Sequence, residues 1–207
     1  MKDIVIIDYK RGGNLFSVNN SLEAIGASTQ ISSDPVVIAQ ASKILFPGVG
    51  SFGIAMQSLA ELGLDQVIKD KIAQECPVLA ICVGMQALFQ GSTEDQSASG
   101  LGIIPAQVTR FSESHGLKIP HMGWNSVHNH NPQNPLFKGI PEDSQFYFVH
   151  SYRAQKQELE GYSTATTDYG DEFISHIWNG RSLFACQFHP EKSAENGLKL
   201  LNNFLKL

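Results

Sequence analysis

Residues 77–89 read Pro77-Val78-Leu79-Ala80-Ile81-Cys82-Val83-Gly84-Met85-Gln86-Ala87-Leu88-Phe89. Pro77 to Cys82 is a short apolar run, the pattern of a strand buried in a parallel sheet. Gly84 to Phe89 follows at once and predicts a helix. A cysteine therefore stands at a strand-to-helix junction. Small residues lie two places before it, Ala80, and two places after it, Gly84. A nucleophile elbow needs both, because the turn is strained and bulky neighbours would collide in it. The helix behind the turn favours thiolate over thiol through its dipole and free N–H groups. The N–H of Val83 points to where an oxyanion would form. A small buried core cysteine is the competing reading, and these five residues alone leave both open.

The same alternation continues outward. Asp3 to Asp8 (DIVIID) reads as a buried strand. Leu15, Val18, Leu22 and Ile25 then fall on one helical face, with Gly26 suited to the helix end. Lys43 to Gly48 is a strand ending in a glycine turn, and Asp65 to Gln74 a helix carrying Val67, Ile68 and Ile72. Strand-helix alternation predicts an α/β fold with a mostly parallel central sheet and helices on both faces. The second half differs. Val108 to Phe111, Ser126 to His128, Gln145 to His150, Ser163 to Thr167, Glu172 to Trp178 and Ser182 to Phe188 read as strands in series. They predict additional antiparallel strands beside the central sheet. A closing helix spans Ser193 to Leu205, and the polar stretch Ser92 to Gly100 reads as a loop. The length of 207 residues suits one domain over 1–207.

Composition narrows the function. Hydrophobic residues at 42% against 17% charged ones support a packed core rather than disorder. A net charge of -5 argues against a nucleic-acid surface, which needs clustered Lys and Arg. No apolar run is long enough to span a bilayer, and the start, broken by Asp8, is too short and polar for a signal peptide. A cytoplasmic setting with reduced thiols is expected. The three cysteines, Cys76, Cys82 and Cys186, show no metal-ligand spacing, so no metal and no cofactor is expected. Cys76 and Cys186 lack the elbow and read as structural.

A thiolate needs a base and the base an orienting group. His189-Pro190-Glu191, at the end of the Ser182 to Phe188 strand, supplies both. Proline stiffens the chain after the histidine, and the carboxylate of Glu191 can hold the imidazole in one tautomer. The other six histidines have no such orienter close in sequence, although His121 and His150 lie in suggestive segments. Pro47-Gly48-Val49-Gly50 follows the Lys43 to Gly48 strand. Its glycines can turn N–H groups outward at the carboxyl end of the sheet, where α/β proteins place ligands. It reads as the second half of an oxyanion hole or as an ordinary glycine turn.

Together these segments resemble a known family. IIDY and GNL near the start, PGVGSF, CVGMQALF, PHMGWN (Pro120 to Asn125), YFVHSY (Tyr147 to Tyr152) and HPEKS (His189 to Ser193) resemble class I, or triad, glutamine amidotransferases. The resemblance is closest to the glutaminase subunits of imidazole glycerol phosphate synthase and covers nearly the whole chain. It implies Cys82 as nucleophile, His189 as base and Glu191 as its orienter. It implies an oxyanion hole from backbone N–H groups of Val83 and of Gly48, Val49 and Gly50. Gln86 and Glu94 match positions that hold the two ends of the substrate glutamine, and Ser151 and Tyr152 line the same pocket. Trp124, Asn125, Tyr147 and Lys192 fall where the family meets its partner, a (β/α)8-barrel cyclase subunit that consumes the ammonia in histidine biosynthesis. Three departures stand out. Ala80 replaces the usual elbow glycine, which tightens the turn by one methyl. Lys10 to Gly13 forms a longer, more basic loop on the partner face. Glu94 lies in the polar Ser92 to Gly100 stretch.

The chain has no phosphate-binding loop or nucleotide motif to use ammonia itself, and free ammonia is mostly protonated in neutral water, so a shielded handover to a partner is expected. Other purposes fit the same chemistry. A paralogous subunit would amidate a surface-polysaccharide sugar. A γ-glutamyl or other cysteine hydrolase on the same fold would need no partner, and a binding module with a decayed site would not react at all.

Overall fold

The computed structural model describes residues 3–10, 15–113 and 116–207. Of the departing loop Lys10 to Gly13, residues 11–13 lie outside the described set.

The first half builds the parallel core. Strands β1 (Ile4–Ile7), β2 (Thr29–Ser32), β3 (Ile44–Phe46) and β4 (Val78–Ile81) alternate with helices α1 (Leu15–Ala24), α2 (Pro35–Ala39), α3 (Phe52–Glu61) and α4 (Leu64–Ala73). β1, β3 and β4 are buried at every position, as continuous apolar runs between helical layers must be. Helix α1 buries Val18 and Leu22, and the turn that follows it carries Gly26, whose φ of 86° is the left-handed value that favours glycine.

After β4 the chain makes the helix α5 (Val83–Ala87) and re-enters the sheet as β5 (Phe89–Ser92), β6 (Asp95–Ser99) and β7 (Ile104–Arg110). Two expectations change here. The helix after Cys82 is cut to about one turn, because Phe89 is needed in the sheet, fully buried and paired with Ile104. Ser92 to Gly100 is not a loop: β6 pairs antiparallel with β5 and closes the sheet edge. Polar edge strands carry no apolar alternation to read.

The second half supplies β8 (His121–Ser126), β9 (His128–Asn129), β10 (Gln145–His150), β11 (Tyr152–Gln155), β12 (Ser163–Tyr169), β13 (Asp171–Trp178), β14 (Leu183–Cys186) and the helix α6 (Ala194–Leu205). The main sheet runs β2-β1-β3-β4-β14-β13-β11-β7-β5-β6, with β12 and β9 continuing from β13. β14 joins β4 in parallel, and β13 is antiparallel to β14, β11 and β12. β8 and β10 form a separate antiparallel pair. Packing sorts the helices into two groups, α1 with α6 and α2, α3 with α4, which cover the two faces. β1, β3, β4 and β14 are mutually parallel neighbours, so their carboxyl ends share one rim. Among the described residues no helix is long and apolar enough to cross a membrane.

Candidate active site

Three segments that leave this rim meet in one cleft. The loop after β3, the turn after β4 and the segment after β14 all line a cavity of about 280 Å³ that includes Val49, Gly50, Cys82, Val83, Gln86, Glu94, Ser151, Tyr152 and His189. The larger surface hollows lined by Val5 to Ser42, by Val127 to Phe146 and by His130 to Thr166 include no cysteine.

Cys82 has φ 54° and ψ -111°, a strained conformation for a residue with a side chain. Gly84 permits it. A Cβ there would stand 2.1 Å from the Phe46 carbonyl oxygen, so β3 and the elbow approach too closely for any other residue. Gly48 is equally confined: a Cβ would meet the Tyr9 hydroxyl at 2.6 Å and the Gly84 nitrogen at 2.7 Å. Ala80, the methyl that departs from the family, is fully buried in β4.

His189 lies beside Cys82, and its Nδ1 donates to Glu191 Oε1 at 2.8 Å. That bond points Nε2 away from the carboxylate, and among the described residues Nε2 has no aligned hydrogen-bond partner of its own. Burial alone would lower the His189 pKa. The adjacent Cys82 sulfur and then the Glu191 carboxylate overturn that and push it up to about 10. The ring is thus poised as an imidazolium facing sulfur. Cys76 and Cys186 differ sharply. Cys76 Sγ faces the Ala41 and Ser42 carbonyls, and burial raises its pKa. Burial also drives the Cys186 thiol well up, inside β14.

One of the backbone donors expected to form an oxyanion hole is engaged. Val83 N–H donates to the Gly48 carbonyl at 3.3 Å. Gly50 has φ 99° and only glycine adopts it without strain. A rotation of the Gly48–Val49 peptide would release the Val83 donor.

Around the cleft, the Gln86 amide nitrogen donates to the Tyr152 carbonyl and to Gln187 Oε1, each at 3.0 Å. Gln187 Nε2 is thereby directed to Cys82 Sγ at 3.6 Å. The Glu94 carboxylate accepts the Phe52 N–H at 2.8 Å and so caps α3 while lining the cleft. The sequence reading missed Gln187 and Tyr9. Gln187 is the only polar side chain in the run Leu183 to Phe188, a signal that was present. Tyr9 is completely buried, its hydroxyl has no hydrogen-bond partner among the described residues, and burial followed by the Cys82 charge raises its pKa.

The expected partner face is largely one patch. Trp124 and Tyr147 are register partners on β8 and β10, with rings 6.2 Å apart, and Lys192 Nζ lies 5.9 Å from the Tyr147 ring. Trp124 is half exposed, and Met122 on the same face of β8 more so. Asn125 falls on the opposite face, as strand alternation requires. Its amide bonds His121 and the Asp168 carbonyl instead. The Tyr147 carbonyl accepts the His189 N–H at 2.9 Å, which ties this patch to the histidine's backbone.

Three buried histidines carry a stability consequence. Burial pushes His121 down to about 4, and His150 and His176 to about 3. An unfolded histidine titrates near 6.5, so the unfolded chain takes up protons that the folded chain refuses. Their contribution is complete above pH 6.5 and is lost as pH falls toward 4 and 3. Each adds about 1.4 kcal/mol per pH unit at the steep limit. Urea unfolding midpoints should therefore drop steadily from pH 6.5 to pH 4.5, and a flat profile would contradict the burial.

Comparison with known proteins agrees with this geometry. The family model described as glutamine amidotransferase class I matches residues 11–207. The chain is 45% identical over 206 residues to the imidazole glycerol phosphate synthase subunit HisH of Acinetobacter baylyi, covering 100% of this chain and 98% of that one. It is 46% identical over 204 residues to the subunit of the same name from Dehalococcoides mccartyi, covering 99% and 97%. Among solved structures, PurLQS from Thermotoga maritima superposes with a TM-score of 0.77 at 18% identity, over 100% of this chain and 99% of that chain. The glutaminase domain of CTPS from Trypanosoma brucei, solved with acivicin bound, gives 0.69 at 18% identity over 98% and 93%. These last two show the shared fold. With a strained cysteine, a carboxylate-held histidine and a family match over nearly its whole length, the chain belongs to the class I glutamine amidotransferases.

Proposed function

We propose that this chain is the glutaminase subunit of an imidazole glycerol phosphate synthase, acting in the cytoplasm as one amidotransferase domain over residues 1–207. The observation that carries the reading is the meeting of Cys82, His189 and Glu191 at one cleft, in a chain with relatives of that name at about 45% identity.

In this reading the Cys82 thiolate attacks the side-chain amide carbon of glutamine. Backbone N–H groups of Val83 and of the Gly48, Val49 and Gly50 loop hold the developing oxyanion. The C–N bond breaks as protonated His189 gives its proton to the leaving nitrogen, releasing ammonia. Water then attacks the glutamyl thioester with His189 as base, and glutamate leaves. Glu191 keeps the imidazole in the working tautomer throughout. Gln86, Glu94, Ser151 and Tyr152 hold the glutamine.

The partner is a (β/α)8-barrel cyclase subunit, forming a heterodimer across the face of Trp124, Tyr147 and Lys192. Ammonia passes to it without meeting water and enters an imidazole ring of the histidine pathway. The bond from Val83 N–H to the Gly48 carbonyl leaves the oxyanion hole incomplete in the free chain. Glutamine hydrolysis should then rise about a hundredfold, the scale of one oxyanion donor, when the cyclase and its nucleotide ligand are added. Ammonia release with and without them measures this. A full rate in the free chain would overturn the coupling, and ammonia transfer to a sugar with another barrel partner would reassign the pathway.

A further inference from the structure

We propose that His121 and His150 are positioning residues for the glutamine pocket. A one-way chain of hydrogen bonds runs from Asn125 through both rings to the Tyr152 carbonyl and there fixes the Gln86 amide. The proposal rests on the reading of the cleft as the glutamine site.

The direction of the chain follows from its two ends. The Asn125 amide is oriented by its own neighbours: its Oδ1 accepts the Ser126 N–H and its Nδ2 donates to the Asp168 carbonyl, both at 2.8 Å. The same Nδ2 lies 3.3 Å from His121 Nε2. At the far end His150 Nδ1 lies 2.9 Å from the Tyr152 carbonyl. A carbonyl only accepts, so this nitrogen carries the hydrogen. Buried as it is, His150 stays neutral, and its Nε2 is therefore bare. That atom lies 3.1 Å from His121 Nδ1, which must carry a hydrogen in turn. Neutral His121 then offers a bare Nε2, the acceptor Asn125 needs. Every link dictates the next, and only one tautomer of each ring satisfies all of them.

The last link reaches the cleft. The Tyr152 carbonyl also accepts Gln86 Nε2 at 3.0 Å, and Gln86 passes its second N–H to Gln187, which faces the Cys82 sulfur. The His121 ring is clamped while it serves this chain. Tyr169 stacks on it at 4.0 Å and Phe148 at 4.8 Å, both tilted by 25°. Packing alone does not call for two polar rings here, since an apolar pair would fill the space without needing partners.

Two substitutions at His121 separate positioning from packing. His121→Phe keeps the stacked ring and removes the donor to His150. His121→Asn removes the ring and keeps an N–H near the place of Nδ1. The free chain is treated with 6-diazo-5-oxo-L-norleucine, a glutamine-shaped diazo ketone. The diazo carbon takes a proton and loses dinitrogen as its C–S bond to Cys82 forms. Intact mass gives the half-saturating concentration and the maximal labelling rate, and thermal melting is recorded alongside.

Positioning predicts that His121→Phe raises the half-saturating concentration about tenfold, the scale of one lost hydrogen bond, with the maximal rate held within about twofold. His121→Asn should stay within about twofold of wild type in both, despite melting lower than His121→Phe. A half-saturating concentration that follows the melting order, or one unchanged in both variants, overturns the proposal. Wild-type chain that is not labelled at Cys82 overturns the glutamine site and this proposal together.

Discussion

Cys82→Ala is expected to lower glutamine hydrolysis by about 10⁴-fold or more, the scale seen when a nucleophile is removed from an intact triad. The remaining machinery cannot substitute. Cys76 and Cys186 are held away from the cleft with thiols that burial keeps protonated. The fold should survive, because the substitution removes one sulfur whose only aligned donor among the described residues is Gln187. A change of about 1 kcal/mol in unfolding free energy is the expected scale. Cys82→Gly should be more stable than Cys82→Ala, since glycine takes φ 54° without strain. Ammonia release and urea unfolding on the same preparations test this. Hydrolysis retained by Cys82→Ala would remove Cys82 from the chemistry.

The second large effect falls on stability. Gly84→Ala places a methyl 2.1 Å from the Phe46 carbonyl oxygen and 3.1 Å from its carbon. Those atoms belong to the backbone of β3, so no side-chain rotation relieves the clash. The elbow must separate from β3, at a cost of about 3 kcal/mol by the measure of overpacked cores. For a chain of this size that is a fall of about 6–12 °C in Tm. Gly180→Ala is a useful control, since nothing lies within 4 Å of its Cβ position and only its φ of 75° resists. Its expected cost is about 1 kcal/mol. Differential scanning calorimetry of both variants decides the matter. Equal melting temperatures would mean that β3 and the elbow are not in contact.

Both predictions begin at residues that the sequence already marks. The elbow was legible because strain demands small neighbours, and few other reasons put them two places either side of a cysteine. His189 and Glu191 were legible because a histidine and a carboxylate bracketing proline can reach each other locally. The buried parallel strands β1, β3, β4 and β14 were legible as short apolar runs. What escaped were features set by distant parts of the chain. β11 was missed because Arg153 reads as a surface residue, yet it is buried, with its guanidinium bonded to Thr109 and Asp171 and lying over Phe111. β6 was missed because an edge strand shows no apolar face. The inward turn of Asn125 and the bare nitrogens of two buried histidines depend on which strand lies opposite, and no local pattern encodes that.

The bond between Val83 and Gly48 has a practical meaning for the cell. A hundredfold restraint corresponds to a closed state favoured by about 2.7 kcal/mol, the scale of one buried hydrogen bond whose donor would otherwise be left unpaired. It is a light latch. It can keep an idle subunit from draining the glutamine pool, yet docking contacts elsewhere on the surface would need to spend only a small fraction of their strength to lift it.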